Sequence, residues 1–149
     1  MSPTALAILG TLLGGLVTGI LQHLITVSAR RDRDRQEHRT AIADLLHHAA
    51  AHRGIQYRKH EARRGGEPDT DATRAERYDR RTAMTTALTR VRLSDVPAPV
   101  RAAAVALVAA SIQLGDTDSH NGPAIQAAGD SARTAHDALE HAAVAYLHS

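Results

Sequence analysis

The side chains with the clearest potential for chemistry are ten histidines, in a chain that contains no cysteine. Asp44, His48 and His52 follow one another at steps of four residues, which places two imidazoles and a carboxylate near one stripe of a helix. Such a set could bind zinc or a related divalent ion. The sequence lacks both His-Glu-x-x-His and the paired Glu-x-x-His motifs of di-metal bundles, so we interpret these histidines as solvated or capping side chains and expect no metal.

Other segments approach known motifs without completing them. Residues 116–127 begin like a calcium-binding loop, but Asn121 and Ala127 stand at the sixth and twelfth positions, where such loops carry Gly and Glu. The sequence has no phosphate-binding glycine loop and no nucleophile elbow, and it offers no thiol nucleophile. We therefore expect a protein that is not an enzyme and that uses no cofactor.

Charged side chains are sorted along the chain. Residues 1–29 carry none, residues 30–93 carry 16 basic and 10 acidic side chains, and residues 94–149 carry 2 basic and 6 acidic ones. A basic segment next to an apolar one is suited to face anionic lipid headgroups. The same arginines could contact DNA phosphates, but they alternate with acids and lack neighbouring stacking aromatics, so nucleic acid is the less favoured partner.

The uncharged segment is long enough to cross a bilayer. Residues 4–27 would form a helix of about 36 Å, against a hydrocarbon core of about 30 Å. We predict a transmembrane anchor over residues 1–29. Four arginines follow it at once: Arg30, Arg31, Arg33 and Arg35. Because no basic residue precedes the anchor, the N-terminus is expected outside the cell and the C-terminal bulk in the cytoplasm. A buried core helix and a signal peptide cleaved near Ala29 are the alternatives.

Small and polar side chains share one stripe of this predicted anchor. The stripe contains Gly10, Gly14, Thr18 and Gln22. Small residues in line allow two membrane helices to approach closely, and a glutamine can donate a hydrogen bond across such a contact. We therefore expect the chain to self-associate into a homo-oligomer through this face.

The remaining sequence predicts an all-α protein whose anchor continues into an Ala-rich helical bundle of about four helices in all. We assign residues 30–64 to a juxtamembrane basic helix, 65–71 to a loop, and 72–149 to the bundle, with helices over 72–93, 99–114 and 123–147. Two heptad seams rich in alanine predict that the last two helices pack antiparallel. The seams consist of Val100, Ala103, Leu107, Ala110 and Leu114, and of Ile125, Ala128, Ala132, Ala135, Leu139, Ala142 and Tyr146. Residues 99–114 could instead form a second span, although a buried helix is preferred.

The order of these segments resembles the small KilB proteins of actinomycetes over nearly the whole chain. The resemblance rests on "LGTLLGGLVTGILQH", "AAHRGIQYRKHEA", "RTAMTTALTRVRL", "VRAAAVALVAA" and "ARTAHDALEHAAVAYL". It implies a membrane-associated, non-enzymatic protein that is toxic when unregulated and linked to conjugative plasmid transfer or spread. No catalytic residue is carried over from the family.

Taken together, the sequence indicates a single-pass membrane protein that self-associates and acts through contacts with a protein of the transfer apparatus. Two other functions remain open. The histidines could serve a soluble or membrane-tethered metal-binding or sensor bundle, and the anchor could belong to a holin-like phage membrane protein.

Overall fold

The computed structural model describes the backbone of residues 3–148 and the side chains of residues 29–148. The protein is all-α, with four helices in order: α1 (Pro3–Arg64), α2 (Asp71–Leu93), α3 (Ala98–Asp116) and α4 (Gly122–Leu147). No strand occurs among the residues described. The bounds of α2, α3 and α4 lie within two residues of those predicted, and α1 ends at the predicted residue.

Local chemistry sets each helix end. After α1, Gly66 adopts a φ of 75°, and Glu67 and Gly66 donate their backbone N–H groups to the carbonyls of Ala62 and Arg63 at 2.9 and 3.2 Å. This is the Schellman arrangement, in which a glycine in the left-handed region ends the helix. Thr70 and Asn121 cap α2 and α4, since their side-chain oxygens accept from the N–H groups of residues 73 and 124.

The chain divides into two compact units, Met1–Glu37 and His38–Ser149. The second unit begins inside α1, whereas the sequence analysis assigns residues 30–64 to a separate helix outside the 72–149 bundle. The reason is that Ile42, Leu45, Ala49 and Ile55 are buried and supply one side of the core. The structure therefore places the residues of α1 from His38 onward in the same unit as the three later helices, because a basic helix can still bury one narrow apolar stripe.

Within this second unit the helices alternate in direction. Asp44 of α1 pairs with Arg90 near the end of α2, and Arg58 pairs with Glu76 near its start, so α2 runs antiparallel to α1. Leu114 at the end of α3 packs with Ile125 and Ala128 at the start of α4, so these two also run antiparallel. The result is an up-down-up-down four-helix arrangement around one main core.

Residues of both predicted alanine seams lie in this main core, and Leu114, Ile125 and Ala128 form a second, smaller cluster. Every seam residue of α3 and α4 is buried or half-buried. The buried face of α3 differs in part from the predicted seam. Ala104, Val108 and Ser111 are buried more deeply than the predicted Ala103 and Ala110. A single heptad seam describes contact with one partner, whereas α3 packs against α4 on one side and α2 on another.

Among the residues whose side chains are described, α3 is the one helix long and apolar enough to cross a membrane by length and composition. It also buries six residues in the compact unit, from Val100 to Leu114, which favours the core-helix interpretation. The predicted anchor at 1–29 lies almost entirely outside the described side chains, as does the predicted face of Gly10, Gly14, Thr18 and Gln22.

Candidate functional site

A row of polar side chains lies inside the bundle along α1. His52, Gln56 and His60 are only 1%, 5% and 1% exposed. They recur at every fourth position, and their side chains lie against the second half of α3 and the loop that follows it. Buried polar groups are costly unless they find hydrogen-bond partners, so the partners of this row decide what it can do.

His60 is fully satisfied as a neutral imidazole. Its Nε2 lies 2.9 Å from the carbonyl oxygen of Leu114, which can only accept, so Nε2 carries the hydrogen. Its Nδ1 then accepts from the hydroxyl of Ser119, also at 2.9 Å. Burial lowers the pKa of His60, an effect that the Leu114 carbonyl opposes and that neighbouring cations reinforce. His60 therefore ties α1 to the α3–α4 loop without carrying charge.

His52 and Gln56 are less completely satisfied. The Gln56 Nε2 lies 3.5 Å from the His52 Nε2, a weak contact. The Nδ1 of His52 and the hydroxyl of buried Ser111 have no hydrogen-bond partner in the part of the chain that the structure describes. Burial, followed by the charge of Arg81, lowers the pKa of His52, so this imidazole is also neutral in the folded protein.

A cleft opens between α1, α2 and the end of α3, with His52 and Gln56 among its lining residues. Its volume is about 270 Å³. Five cationic side chains line it: Lys59, Arg63, Arg74, Arg77 and Arg81. Among the residues whose side chains are described, Asp69 and Asp116 are the acids in its lining, which leaves a net charge of +3 if the histidine is neutral. We call this cavity the basic cleft.

Asp69 organises one wall of the basic cleft. Its carboxylate accepts from Arg77 at 2.6 Å, from the Thr73 hydroxyl at 3.0 Å and from Arg63 at 3.4 Å. The hydrogen bond from Arg77 is the main reason that the pKa of Asp69 lies well below its usual range. The Arg77–Asp69 ion pair therefore attaches the 65–70 loop to α2.

A second cavity, of about 350 Å³, adjoins the basic cleft and shares Lys59, Arg63, Asp69 and Arg77 with it. Arg58 is its further cation, and its further acids are Glu61, Glu67 and Glu76. Four cations therefore face four carboxylates. The two cavities have similar sizes, but only the basic cleft carries an excess of positive charge.

The structure does not bring the metal candidates together. Asp44 is paired with Arg90 at 3.4 Å on the flank that faces α2. His48 is half-buried with its Nδ1 unpartnered among the described residues, and His52 lies in the interior. No group of three or more potential ligands gathers at metal-binding distance in the described part of the chain.

The arginines predicted to lie next to the membrane are all exposed and belong to the first compact unit. They are Arg30, Arg31, Arg33 and Arg35. The first residue of the second unit, His38, is buried, and its Nδ1 lies 2.7 Å from the Tyr146 hydroxyl of α4. The chain thus changes from exposed charged side chains to a buried side chain within three residues of Arg35.

The sequence contained a signal for the buried row, although we interpreted its histidines as solvated or capping side chains, an interpretation that is wrong for the buried His52. Asp44, His48, His52, Gln56 and His60 form one continuous series at steps of four. Each such step advances 400° around a helix, a drift of about 40° per step. Over the whole series the direction turns by roughly 160°. The first member therefore faces α2 and the last faces α3, so the three candidate metal ligands point in different directions and the later residues of the series are buried.

Comparison with known proteins identifies the family of the chain. Searches of curated proteins and of solved structures found no match. A family model described as KilB plasmid transfer protein matches residues 39–147. The match begins one residue after the start of the second compact unit and ends at the last residue of α4. It includes the buried row, the basic cleft and the whole core, and the chain belongs to the KilB plasmid transfer protein family.

Proposed function

We propose that this protein is a non-enzymatic, self-associating, single-pass membrane protein that takes part in plasmid transfer between cells through contacts with a transfer protein. The observation that carries the proposal is the family match over residues 39–147. The uncharged segment 4–27 and the exposed arginines after it support membrane attachment. In this proposal the second compact unit lies in the cytoplasm and presents its helical surface to the partner.

The topology can be tested cleanly because the chain has no native cysteine. Ser2→Cys and Ser149→Cys each introduce one thiol at opposite ends. A membrane-impermeant maleimide should label Ser2→Cys in intact cells and Ser149→Cys only after lysis. Labelling of Ser149→Cys in intact cells would reverse the proposed orientation, and recovery of either variant in the soluble fraction would remove the anchor from the proposal.

Self-association is assigned to the small-residue stripe of the anchor. Gly14→Ile adds bulk where two helices would touch, so it should reduce dimerisation in a membrane two-hybrid reporter. Leu12→Ile changes the opposite stripe with little change in volume and serves as the control. Equal signals from both variants would exclude this face as the contact.

The role in transfer is tested by mating. Removal of the gene from a transfer-competent plasmid should lower the number of recipients that acquire it, and the intact gene in trans should restore transfer. Unchanged transfer without the gene would contradict the proposed function.

A further inference from the structure

The geometry points to a second binding function: we propose that the basic cleft binds the diphosphate group of a small ligand. The cleft is concave, has a volume of about 270 Å³ and carries a net charge of +3. A diphosphate carries several negative charges on adjacent oxygens, and arginine is the side chain best shaped to bind such groups in bidentate fashion. This inference is independent of membrane attachment.

Two of the five cations are available to a ligand. Arg74 and Arg81 are about half-exposed, at 52% and 48% of their side-chain surface. Arg74 is paired with Asp71, whose side chain is 98% exposed, and Arg81 lies 4.0 Å from the Asp116 carboxylate. Ion pairs this exposed contribute little free energy, so an incoming anion can replace them.

Arg74 and Arg81 also stand at a spacing that suits two linked phosphoryl groups. Seven residues separate them on α2, which places them on the same face about 10 Å apart along the axis. Arg77 lies between them on that face but is held by Asp69 at 2.6 Å. Two flexible guanidinium groups on either side of a fixed one can close on a diphosphate from both ends.

The remaining walls add hydrogen-bond donors and positive potential. Lys59 donates to the carbonyl of Gly115 at the end of α3 and keeps further N–H groups. Burial, followed by the charges of Arg63 and Arg77, lowers the pKa of Lys59, and Arg81 acts in the same direction on His52. Asp116 opposes both shifts and Asp69 opposes the shift of Lys59, so the positive charge at these groups is partly compensated, and a bound anion would add to that compensation.

Tyr78 gives the cleft an aromatic rim. It lies on α2 between Arg74 and Arg81, lines the cleft and is 65% exposed. An exposed aromatic ring beside bound phosphates can stack on a nucleobase. The diphosphate could therefore come from inorganic pyrophosphate or from a nucleoside diphosphate, and binding to Tyr78 distinguishes these sources.

The test is calorimetry of the full chain in a nonionic detergent, with pyrophosphate, ADP and a short DNA duplex as probes at fixed ionic strength. Saturable binding of pyrophosphate is expected. The double variant Arg74→Gln/Arg81→Gln should weaken it by about tenfold or more. The matched control Arg80→Gln/Arg92→Gln removes the same charge from the same helix outside the cleft and should change affinity by less than about twofold.

Each outcome decides the proposal. Equal weakening in both double variants would show general charge attraction and overturn it, as would the absence of saturable pyrophosphate binding to a chain that circular dichroism shows to be folded. Binding of duplex DNA without binding of pyrophosphate would also overturn it. Tighter binding of ADP than of pyrophosphate, lost in Tyr78→Ala, assigns the diphosphate to a nucleotide. Equal affinities that Tyr78→Ala does not change assign it to the inorganic ion.

Discussion

At the scale of single residues, two buried histidines and one half-buried histidine couple the fold to pH. His52, His60 and His136 all have a pKa below the ordinary 6.5, in each case mainly because of burial. Arg53 strengthens the effect on His136, because its guanidinium lies 3.3 Å from the Nδ1 of that imidazole. All three rings are therefore neutral in the folded protein at neutral pH.

The sign of the resulting pH dependence follows from proton binding. Below pH 6.5 the unfolded chain binds protons at these histidines that the folded chain does not, so acid favours unfolding. The contribution is complete above pH 6.5 and falls as the pH decreases toward the lowered values. We expect thermal melts followed by circular dichroism to show a lower melting temperature at pH 5.5 than at pH 7.5.

His60→Gln should reduce this pH dependence, because glutamine cannot bind a proton in that range. The exposed His141→Gln is the matched control and should leave the dependence unchanged. His60→Gln should also lower the free energy of unfolding by about 1 kcal/mol at pH 7.5, because glutamine replaces one of the two buried hydrogen bonds imperfectly. An undiminished pH dependence in His60→Gln would show that other groups produce it.

Gly129 and Tyr57 make a contact that forbids a larger residue. A Cβ at position 129 would overlap the hydroxyl of Tyr57, which accepts from Arg133 at 3.2 Å. Gly129→Ala must displace the ring and should lower the free energy of unfolding by about 1–3 kcal/mol. In a Tyr57→Leu background the same change should cost much less. A double-mutant cycle measures the difference, and equal costs in the two backgrounds would refute the contact.

At the scale of helices, replacement by alanine should have opposite effects on stability at two glycines, one inside α1 and one just after its end. Gly66 adopts a φ of 75° in the Schellman turn, which an alanine adopts only at a cost of about 1 kcal/mol. Gly54 lies exposed inside α1, where an added Cβ meets no atom within 4 Å. Gly54→Ala should therefore stabilise the protein by about 0.5–1 kcal/mol.

The two substitutions control for each other, because both exchange glycine for alanine. Melting temperatures should shift by about 3 °C per kcal/mol in opposite directions. A shift of the same sign in both variants would mean that composition rather than backbone geometry determines the effect.

The helix bounds could be predicted from the sequence because helix-breaking residues act locally. Gly65, Pro68 and the prolines at 97 and 99 end or begin helices whatever the rest of the chain does. Which face of α1 is buried could not be predicted in the same way. Its buried stripe is narrow, its sequence is strongly basic, and the series from Asp44 to His60 rotates around the axis, so only tertiary packing decides which members are buried.

The basic cleft could not be predicted from the sequence for a related reason. Lys59, Arg63, Arg74, Arg77 and Arg81 come from two helices separated by a loop, and only the antiparallel pairing of α1 with α2 places them around one cavity. Charge counts over residues 30–93 give the excess of cations but not its concentration at one end of the bundle.

At the scale of the whole molecule, the family match and the second compact unit share nearly the same bounds. The matched residues 39–147 contain the core, whereas residues 1–37 form the other unit. In the proposed function these two parts have separate tasks: the unit that the family model matches contacts the partner, and the N-terminal segment attaches the protein to the membrane. The two tasks should then be separable by changes confined to residues 1–29.

Deletion of residues 1–29 should move the protein from the membrane pellet to the supernatant, while the helical signal of the remaining chain persists. It should also abolish the toxicity on overproduction that we propose from the family resemblance. A variant of full length provides a sharper comparison. Leu12→Arg/Leu16→Arg keeps the segment but adds about 2.5–3.5 kcal/mol per charge to the cost of insertion, so it should behave like the deletion. Toxicity that survives in both variants, with the protein soluble, would place the toxic activity in the second compact unit rather than in an assembled anchor. Loss of toxicity together with unchanged pyrophosphate binding would show that attachment and the basic cleft act independently.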